Sequence, residues 1–174
     1  MSIHTSASPK AAAALFKATV AVGAVGIFLA IYFVFIDPLL SVKVAAVLLV
    51  GVVGVISFLR HSVFWRSDQA RMGWAQDDPA FQMEVGLANL ALGLVALAAV
   101  LFSWGPVAYG TVMLSYGLYL AGSIGVHLRE ARAFGPERQS RSPSRSRSRV
   151  LGKVLNTGIF AAALLAFGAY ALSL

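Results

Sequence analysis

The chain is dominated by five long hydrophobic runs, which are separated by short polar gaps. Each run contains about 18 to 22 residues, and a helix that rises about 1.5 Å per residue needs about 20 residues to cross the hydrocarbon core of a bilayer. Because lipid offers the backbone no hydrogen-bond partner, runs of this length are expected to be helices. The pattern predicts membrane helices over residues 19–36, 42–59, 81–102, 107–126 and 154–172.

The composition agrees with a membrane protein. Of the 174 residues, 59% are hydrophobic and 12% are charged, whereas a soluble domain has roughly 25% charged residues. Five helices leave no room for a separate soluble domain, so we predict an all-α, polytopic membrane helix bundle that forms one domain over residues 1–174. The absence of cysteine excludes disulfides, thiolate metal sites and cysteine nucleophiles.

Basic residues are concentrated on one side of the predicted bundle, and the net charge is +7. Lys10 and Lys17 precede the first helix, and lysines and arginines fill the second–third and fourth–fifth connections, whereas the other side contains only Lys43. Lysine and arginine accumulate in cytoplasmic loops. We therefore expect a multi-pass membrane protein with the N-terminus in the cytoplasm and the C-terminus outside.

Small residues indicate where helices approach each other closely. Gly117, Ala121 and Gly125 recur every four residues on the fourth helix, and Gly86 and Gly93 on the third helix suggest a facing groove. Such faces are typical of ordinary packing within a bundle, and they also suit a second copy of the chain. We expect a homo-oligomer or a membrane-protein partner.

The connection between the fourth and fifth helices is basic and rich in serine, with the sequence RQSRSPSRSRSR over residues 138–149. This composition cannot bury a core, which predicts a disordered cytoplasmic loop over residues 131–149. The loop either enforces topology alone or binds anionic lipid headgroups, at about 1 kcal/mol per basic residue. Nucleic acid is disfavoured because the loop has no aromatic residue to stack on bases. The candidate headgroup ligands are Arg138, Arg141, Arg145, Arg147 and Arg149.

Polar residues of three predicted helices converge on the cytoplasmic side. His61 ends the second helix, and Glu84 lies in the first turns of the third. The fourth helix has a polar stripe whose spacings of 3, 4, 4 and 3 residues follow one helical face. In a membrane helix such a stripe is expected to face protein or water. The stripe consists of Tyr116, Tyr119, Ser123, His127 and Glu130.

The third helix distributes its polar residues over two faces. At 100° per residue, Gln82 and Asn89 fall within about 20° of each other, whereas Glu84 lies about 140° from Asn89. One regular helix therefore cannot direct Glu84 and Asn89 into a single small site. Either the two residues serve different neighbours, or the helix is locally distorted.

Three interpretations of the polar cluster remain open. It is structural if Glu84 pairs with Arg60 or Arg129 and Asn89 links helices, and it is a pathway if protons or small solutes pass along it. It is a metal site if imidazole and carboxylate groups share an ion, a donor set that suits Fe, Mn or Zn. The His-x-x-Glu spacing on the fourth helix matches the Glu-x-x-His spacing of metal sites in helix bundles. The candidate metal ligands are Glu84, His127, His61 and Glu130.

The segment FQMEVGLANLALG over residues 81–93, with Gly73-Trp74 before it and GVHLRE over residues 125–130 after it, resembles a family of small uncharacterised bacterial multi-pass membrane proteins. That family is similar in a Phe-Gln-x-Glu-x-Gly-x-Ala-Asn motif and in a histidine that ends the next helix. Its function is unknown, and only size and helix count relate it distantly to DoxX-like proteins. The resemblance implies a location in the bacterial cytoplasmic (inner) membrane. It also implies matching positions at Phe81, Gln82, Glu84, Gly86, Asn89 and His127, with His61 upstream.

The sequence favours an accessory or scaffold subunit that packs on membrane partners. The first alternative is a metal-dependent membrane enzyme that acts on a lipid or quinone-like substrate. In that case Glu84 is an anionic ligand or proton acceptor, His127 and His61 are neutral ligands or proton relays, and Asn89 orients a neighbour or a substrate. The second alternative is a small oligomeric transporter or channel, although the sequence shows no inverted repeat.

Overall fold

The computed structural model describes residues 8–72, 78–132 and 147–174. Over these residues the chain is all-α, with six helices, five of which are long and apolar enough to cross a membrane. The predicted five-helix membrane bundle is therefore confirmed. The helices are α1 (Lys10–Val34), α2 (Pro38–Val63), α3 (Trp65–Met72), α4 (Ala80–Leu101), α5 (Pro106–Arg132) and α6 (Arg147–Leu172).

Several helices extend beyond their hydrophobic runs at what we call the basic end of the bundle, where α1 and α4 begin and α2 ends. The first helix begins at Lys10, α5 continues to Arg132, and α6 begins at Arg147. Residues 131–132 and 147–149, which the sequence assigned to a disordered loop, are thus helical, since arginine and alanine are good helix formers. Residues 133–146 lie outside the described part of the chain, with Arg138, Arg141 and Arg145, and so do the side chains of Arg147 and Arg149.

Proline and glycine define the helix starts at the opposite end. Asp37 accepts a hydrogen bond from the Leu40 N–H at 3.0 Å, and Pro38 occupies the first helical position, where a missing N–H leaves no bond unmade. Before Pro106, Gly105 has φ +95°, a conformation that glycine adopts without strain. The turn from α4 to α5 is therefore tight.

The second helix is not a regular α-helix throughout. Residues Ala46–Val52 and Leu59–Val63 are π-helical, and the Phe64 N–H closes the second segment by donating to the Leu59 carbonyl at 2.8 Å. A π-helical segment widens the helix and often occurs at functional sites. The second segment contains the adjacent residues Arg60 and His61, both of which line a cavity inside the bundle.

The second and fourth helices cross with their backbones in contact. A Cβ added at Gly54 would lie 2.6 Å from the carbonyl oxygen of Asn89 and 3.0 Å from the Cα of Gly93. A Cβ added at Gly93 would lie 3.0 Å from the carbonyl oxygen of Gly51. Glycines thus permit the approach, and the crossing holds Asn89 against α2.

Two glycines of the fifth helix, Gly110 and Gly117, pack against α6, whereas Gly125 of the predicted ridge has no described atom within 4 Å of an added Cβ. A Cβ added at Gly110 would lie 2.8 Å from the carbonyl oxygen of Gly168, and one added at Gly117 would lie 2.9 Å from a leucine of α6. The prediction that the glycines of α4 form a groove for the small residues of α5 is therefore wrong. Gly86 and Gly93 face α2 instead, because that helix supplies the complementary small residues.

The third helix is short and polar, and it lies at the basic end of the bundle. Ser67, Asp68 and Gln69 are nevertheless buried. The Ser67 hydroxyl accepts from the Ala12 N–H at 3.1 Å and donates to the Ser8 carbonyl at 2.7 Å, which ties α3 to the start of α1. The hydrophobic pattern missed this helix because hydrogen bonds, rather than apolar contacts, hold it in place.

Candidate functional site

Asp68 is the centre of a polar network at the basic end, and its side chain is fully buried. Arg71 donates to Oδ1 of Asp68 through Nε at 3.0 Å and through Nη2 at 2.8 Å. Nε of Arg60 lies 3.8 Å from the same oxygen, and Nδ1 of His61 lies 2.9 Å from Oδ2. The network therefore joins the end of α2 to α3 through charges that are largely removed from water.

The hydrogen bonds of His61 define its tautomer. Its Nε2 lies 2.6 Å from Nη2 of Arg60, and because a guanidinium can only donate, Nε2 must accept. Its Nδ1 faces two acceptors, Oε1 of Gln82 at 2.7 Å and Oδ2 of Asp68 at 2.9 Å, so Nδ1 carries the hydrogen. His61 thus connects α2 with both α3 and α4.

The Asp68 carboxyl group is held in its ionised form. Burial by itself would raise the pKa of Asp68, but the close approach of His61 and the positive charges of Arg60 and Arg71 together hold this pKa below its usual range. Among the described residues, no other carboxylate lies within 4.0 Å of Arg60 or Arg71. Within the described residues, one carboxylate therefore balances two guanidinium groups, and this part of the network carries net positive charge.

The first helix adds an aromatic ring to the network. The ring centroid of Phe16 lies 4.9 Å from the guanidinium carbon of Arg71 and 5.7 Å from that of Arg60. Both distances are within the range of cation–π attraction. Phe16 therefore provides an apolar surface beside two charged groups.

A second polar group lies deeper in the bundle. The Tyr116 hydroxyl donates to Oδ1 of Asn89 at 2.6 Å, and Nδ2 of Asn89 donates to the Val85 carbonyl at 2.7 Å. The Tyr119 ring stacks on that of Tyr116, with centroids 6.2 Å apart. Asn89 lies about 13.5 Å along α4 from Ala80, at 1.5 Å per residue. The polar surface thus extends from the basic end toward the middle of the bundle.

Both polar groups line one cavity with a volume of about 860 Å³. The cavity lies among all five membrane helices, and α1 and α6 contribute apolar walls that include Val20, Ile27 and Phe160. Its volume falls within the roughly 300–1,000 Å³ that is usual for small-molecule sites. The polar side chains that line it are Thr19, Ser57, Arg60, His61, Arg71, Gln82, Asn89, Tyr116, Tyr119, Ser123, Asn156 and Thr157.

The cavity opens at the surface of the bundle. Among the residues that line it, Phe81, Leu118, Val126 and Ile159 are 65%, 64%, 59% and 58% exposed. All four lie within the candidate membrane spans. The exposed residues of the cavity lining thus lie within the candidate membrane spans.

The structure brings together part of the polar cluster that the sequence predicted. Gln82 and Asn89 are buried on one face of α4. Glu84 is exposed, roughly on the opposite face, and does not line the cavity. The predicted residues that line the cavity are His61, Gln82, Asn89, Tyr116, Tyr119 and Ser123.

The metal site stays a prediction. The side chains of His127 and Glu130 lie outside the described residues, and within the described ones no group of three His, Cys, Asp or Glu is arranged to hold a metal ion. The two remaining candidate ligands do not meet. Glu84 is exposed, whereas both ring nitrogens of His61 already have protein partners.

The centre of this site lies within a segment that matches a known protein family. The model of DUF6790, a family of unknown function, matches residues 39–137, which is more than half of the chain. The chain belongs to DUF6790. No curated protein and no solved structure matches it. The DUF6790 segment contains Asp68 with its partners and the pair of Asn89 and Tyr116, whereas Phe16 and the α6 wall of the cavity lie outside it.

Sequence reasoning missed the charged centre of the site. It interpreted Arg71 as a topology signal, considered Arg60 as a topology signal or a partner of Glu84, and gave Asp68 no role. One signal was available, because Asp68 lies three residues before Arg71 in a short basic connection, and that spacing places both on one helical face. Phe16 had no signal of its own, since an aromatic residue in a membrane helix is common.

Proposed function

We propose that this DUF6790 member binds an amphipathic small molecule, taken from the bilayer, in its intramembrane cavity. The observation that carries the proposal is the cavity itself, which combines a volume of about 860 Å³ with apolar walls and a polar network at one end. A hydrocarbon chain matches the walls, and a polar head group matches the network. In the cavity, the hydrocarbon chain would therefore remain in apolar surroundings and the head group in polar surroundings, as in the membrane.

Packing considerations support an occupant. Protein interiors are close-packed, and voids larger than a water molecule are few. The cavity opens between membrane spans, so lipid is the solvent that reaches it. A specific amphiphile would bind more tightly than bulk lipid because its head group would contact polar side chains that hydrogen bonds already hold in place. Binding then costs less free energy for ordering these side chains.

The distribution of basic residues orients the bound molecule. With the basic end on the cytoplasmic side, as the positive-inside rule predicts, the head group would lie near the inner membrane surface. The hydrocarbon chain would then extend toward the middle of the bilayer, past Asn89 and Tyr116.

This proposal modifies the scaffold hypothesis. A scaffold needs outward-facing surfaces, whereas the most highly organised polar groups here lie inside a single chain. Binding in the cavity remains compatible with an accessory role, in which the chain holds or delivers an amphiphile for a partner. We propose binding rather than catalysis because Asp68, His61, Asn89 and Tyr116 are all engaged in contacts that join helices.

Filling the cavity is expected to abolish binding. Gly122 lines the cavity, and no described atom lies within 4 Å of a Cβ at this position, so Gly122→Phe places a ring in free space. We expect the purified full-length variant to bind a fluorescent single-chain amphiphile about tenfold more weakly than the wild type, or not at all. The measurement is a fluorescence titration in detergent micelles.

Gly125→Phe is the matched control for this experiment. Gly125 lies on the same helix and also has no described atom within 4 Å of an added Cβ, but it does not line the cavity. Its variant should bind like the wild type. Equal binding by the wild type and Gly122→Phe would contradict the proposal, and so would an equal loss in both variants, because that loss would locate binding on the outer surface of α5.

A further inference from the structure

We infer that the head group of the bound amphiphile is an anionic oxygen acid, a carboxylate or a phosphate, held by Arg60 and Gln82 with Arg71 nearby. This inference rests on the proposed function and specifies its ligand. Two independent observations carry it, namely the hydrogen-bonding groups that lack a partner and the net charge of the network.

The first observation is a pair of unpartnered donors that line the cavity. Two buried acceptors at this end, Oδ2 of Asp68 and Oε1 of Gln69, also have no hydrogen-bond partner among the described residues, but their side chains do not line the cavity. Nε of Arg60 and Nε2 of Gln82 are both buried and have no hydrogen-bond partner among the described residues. Both side chains line the cavity. A buried donor without an acceptor is costly, and native structures rarely leave one unpaired. A ligand that presents oxygen acceptors at this point would satisfy both groups.

The second observation is the excess of positive charge. The guanidinium groups of Arg60 and Arg71 share one carboxylate, that of Asp68, whose Oδ1 already accepts both hydrogen bonds from Arg71. A charge removed from water is stable only when it is paired. A second anion beside Arg60 would therefore balance the charge of the two guanidinium groups in the part of the site that the structure describes.

These two observations rank the head groups. A carboxylate or phosphate satisfies the donors and the charge together. An ester or a quinone carbonyl satisfies the donors alone, and an ammonium group satisfies neither, since it places a cation beside two cations. The apolar walls beyond the network accommodate the hydrocarbon chain in each case, so head-group chemistry alone separates these molecules.

The test compares amphiphiles that differ only in the head group. Binding of oleate, oleyl phosphate, methyl oleate and oleylamine to the full-length wild-type protein in uncharged detergent micelles is measured by native mass spectrometry. We expect both acids to bind about tenfold more tightly than methyl oleate, and oleylamine to bind most weakly. Inorganic phosphate and acetate are added as free competitors, and we expect neither to displace oleate at equal concentration, because they lack the chain.

Two variants locate the preference at the network. Arg60→Gln removes one charge, and Gln82→Glu keeps the acceptor for His61 but replaces the free donor with a negative oxygen. Each should reduce the oleate preference over methyl oleate to about twofold or less while methyl oleate still binds. Arg66→Gln is the control, since Arg66 is an exposed arginine at the same end that lies over Trp65 and does not line the cavity. If Arg60→Gln does not fold, Gln82→Glu and the ligand series on the wild type still test whether the network binds an anionic head group.

The outcomes separate this inference from the proposed function. Equal binding of oleate and methyl oleate to the wild type would overturn the anionic head group and leave the amphiphile-binding function standing. A preference that survives in both Arg60→Gln and Gln82→Glu would also overturn it. Displacement of oleate by free phosphate at equal concentration would identify the site as one for a soluble anion and overturn the amphiphile. No binding of any amphiphile would overturn both proposals.

Discussion

Asp68→Asn is expected to lower the free energy of unfolding by about 3–5 kcal/mol, which is the usual cost of breaking a buried ion pair by removing one partner. The substitution retains the size of the side chain but leaves Arg60 and Arg71 facing each other without a counter-charge. It also weakens the acceptor that His61 faces at 2.9 Å. The loss should appear in chemical unfolding of the purified protein in detergent micelles, followed by circular dichroism.

Asp37→Asn is the control for this prediction. Asp37 caps α2 at the opposite end of the bundle, and asparagine caps a helix about as well as aspartate, so we expect less than about 0.5 kcal/mol. The double variant Asp68→Asn/Arg71→Gln should recover part of the loss, because it removes one unpaired charge. A change below about 1 kcal/mol in Asp68→Asn would contradict a central role for this carboxylate.

The same carboxylate predicts a pH dependence with a defined sign. Because the pKa of Asp68 in the folded protein is below its unfolded value of about 3.9, its stabilising contribution is fully present above that value. The contribution is lost as the pH falls through the folded pKa. The difference in unfolding free energy between the wild type and Asp68→Asn should therefore be constant near neutral pH and shrink below about pH 4.

Gly54→Ala is expected to destabilise the bundle by about 1–3 kcal/mol, the typical cost of overpacking. The added Cβ would lie 2.6 Å from the backbone carbonyl oxygen of Asn89. A backbone atom cannot rotate away as a side chain does, so α2 and α4 must separate. The separation would also shift Asn89 from its 2.6 Å hydrogen bond with Tyr116. Thermal unfolding in detergent micelles measures the effect.

Gly158→Ala serves as the comparison. A Cβ at Gly158, inside α6, would lie 3.9 Å from Cδ1 of Ile124, an ordinary contact. Alanine is favoured over glycine within a helix by up to about 1 kcal/mol, so this variant should be as stable as the wild type or slightly more stable. If Gly54→Ala behaved in the same way, the close crossing of α2 and α4 would be refuted.

The five membrane helices were predictable because lipid imposes a length and a composition that the hydrophobic pattern shows directly. The third helix was not predictable in this way. Its residues Ser67, Asp68 and Gln69 are polar, and they are buried by hydrogen bonds to distant parts of the chain. Hydropathy has no signal for a polar segment that tertiary hydrogen bonds hold in place.

Helical periodicity made the candidate site predictable in part. Helical periodicity placed Gln82 and Asn89 on one face and Glu84 on another, and the structure shows the first two buried and Glu84 exposed. Periodicity orients residues within one helix, but it does not say which helix they meet. The ion pairs of Asp68 join α2 to α3, and a partnership across helices of this kind has no local signature.

Photo-crosslinking tests the central claim of an intramembrane amphiphile site most directly. An oleate analogue with a diazirine in its hydrocarbon chain is bound to the full-length protein in nanodiscs and illuminated, and the labelled peptides are identified by mass spectrometry. We expect labels within residues 16–27 of α1 and 118–126 of α5, which contribute to the cavity lining, with loss of these labels upon addition of excess oleate and in Gly122→Phe. Labels spread over outward-facing residues such as Phe28, Phe35 and Leu101, unaffected by oleate or by Gly122→Phe, would contradict the proposed site.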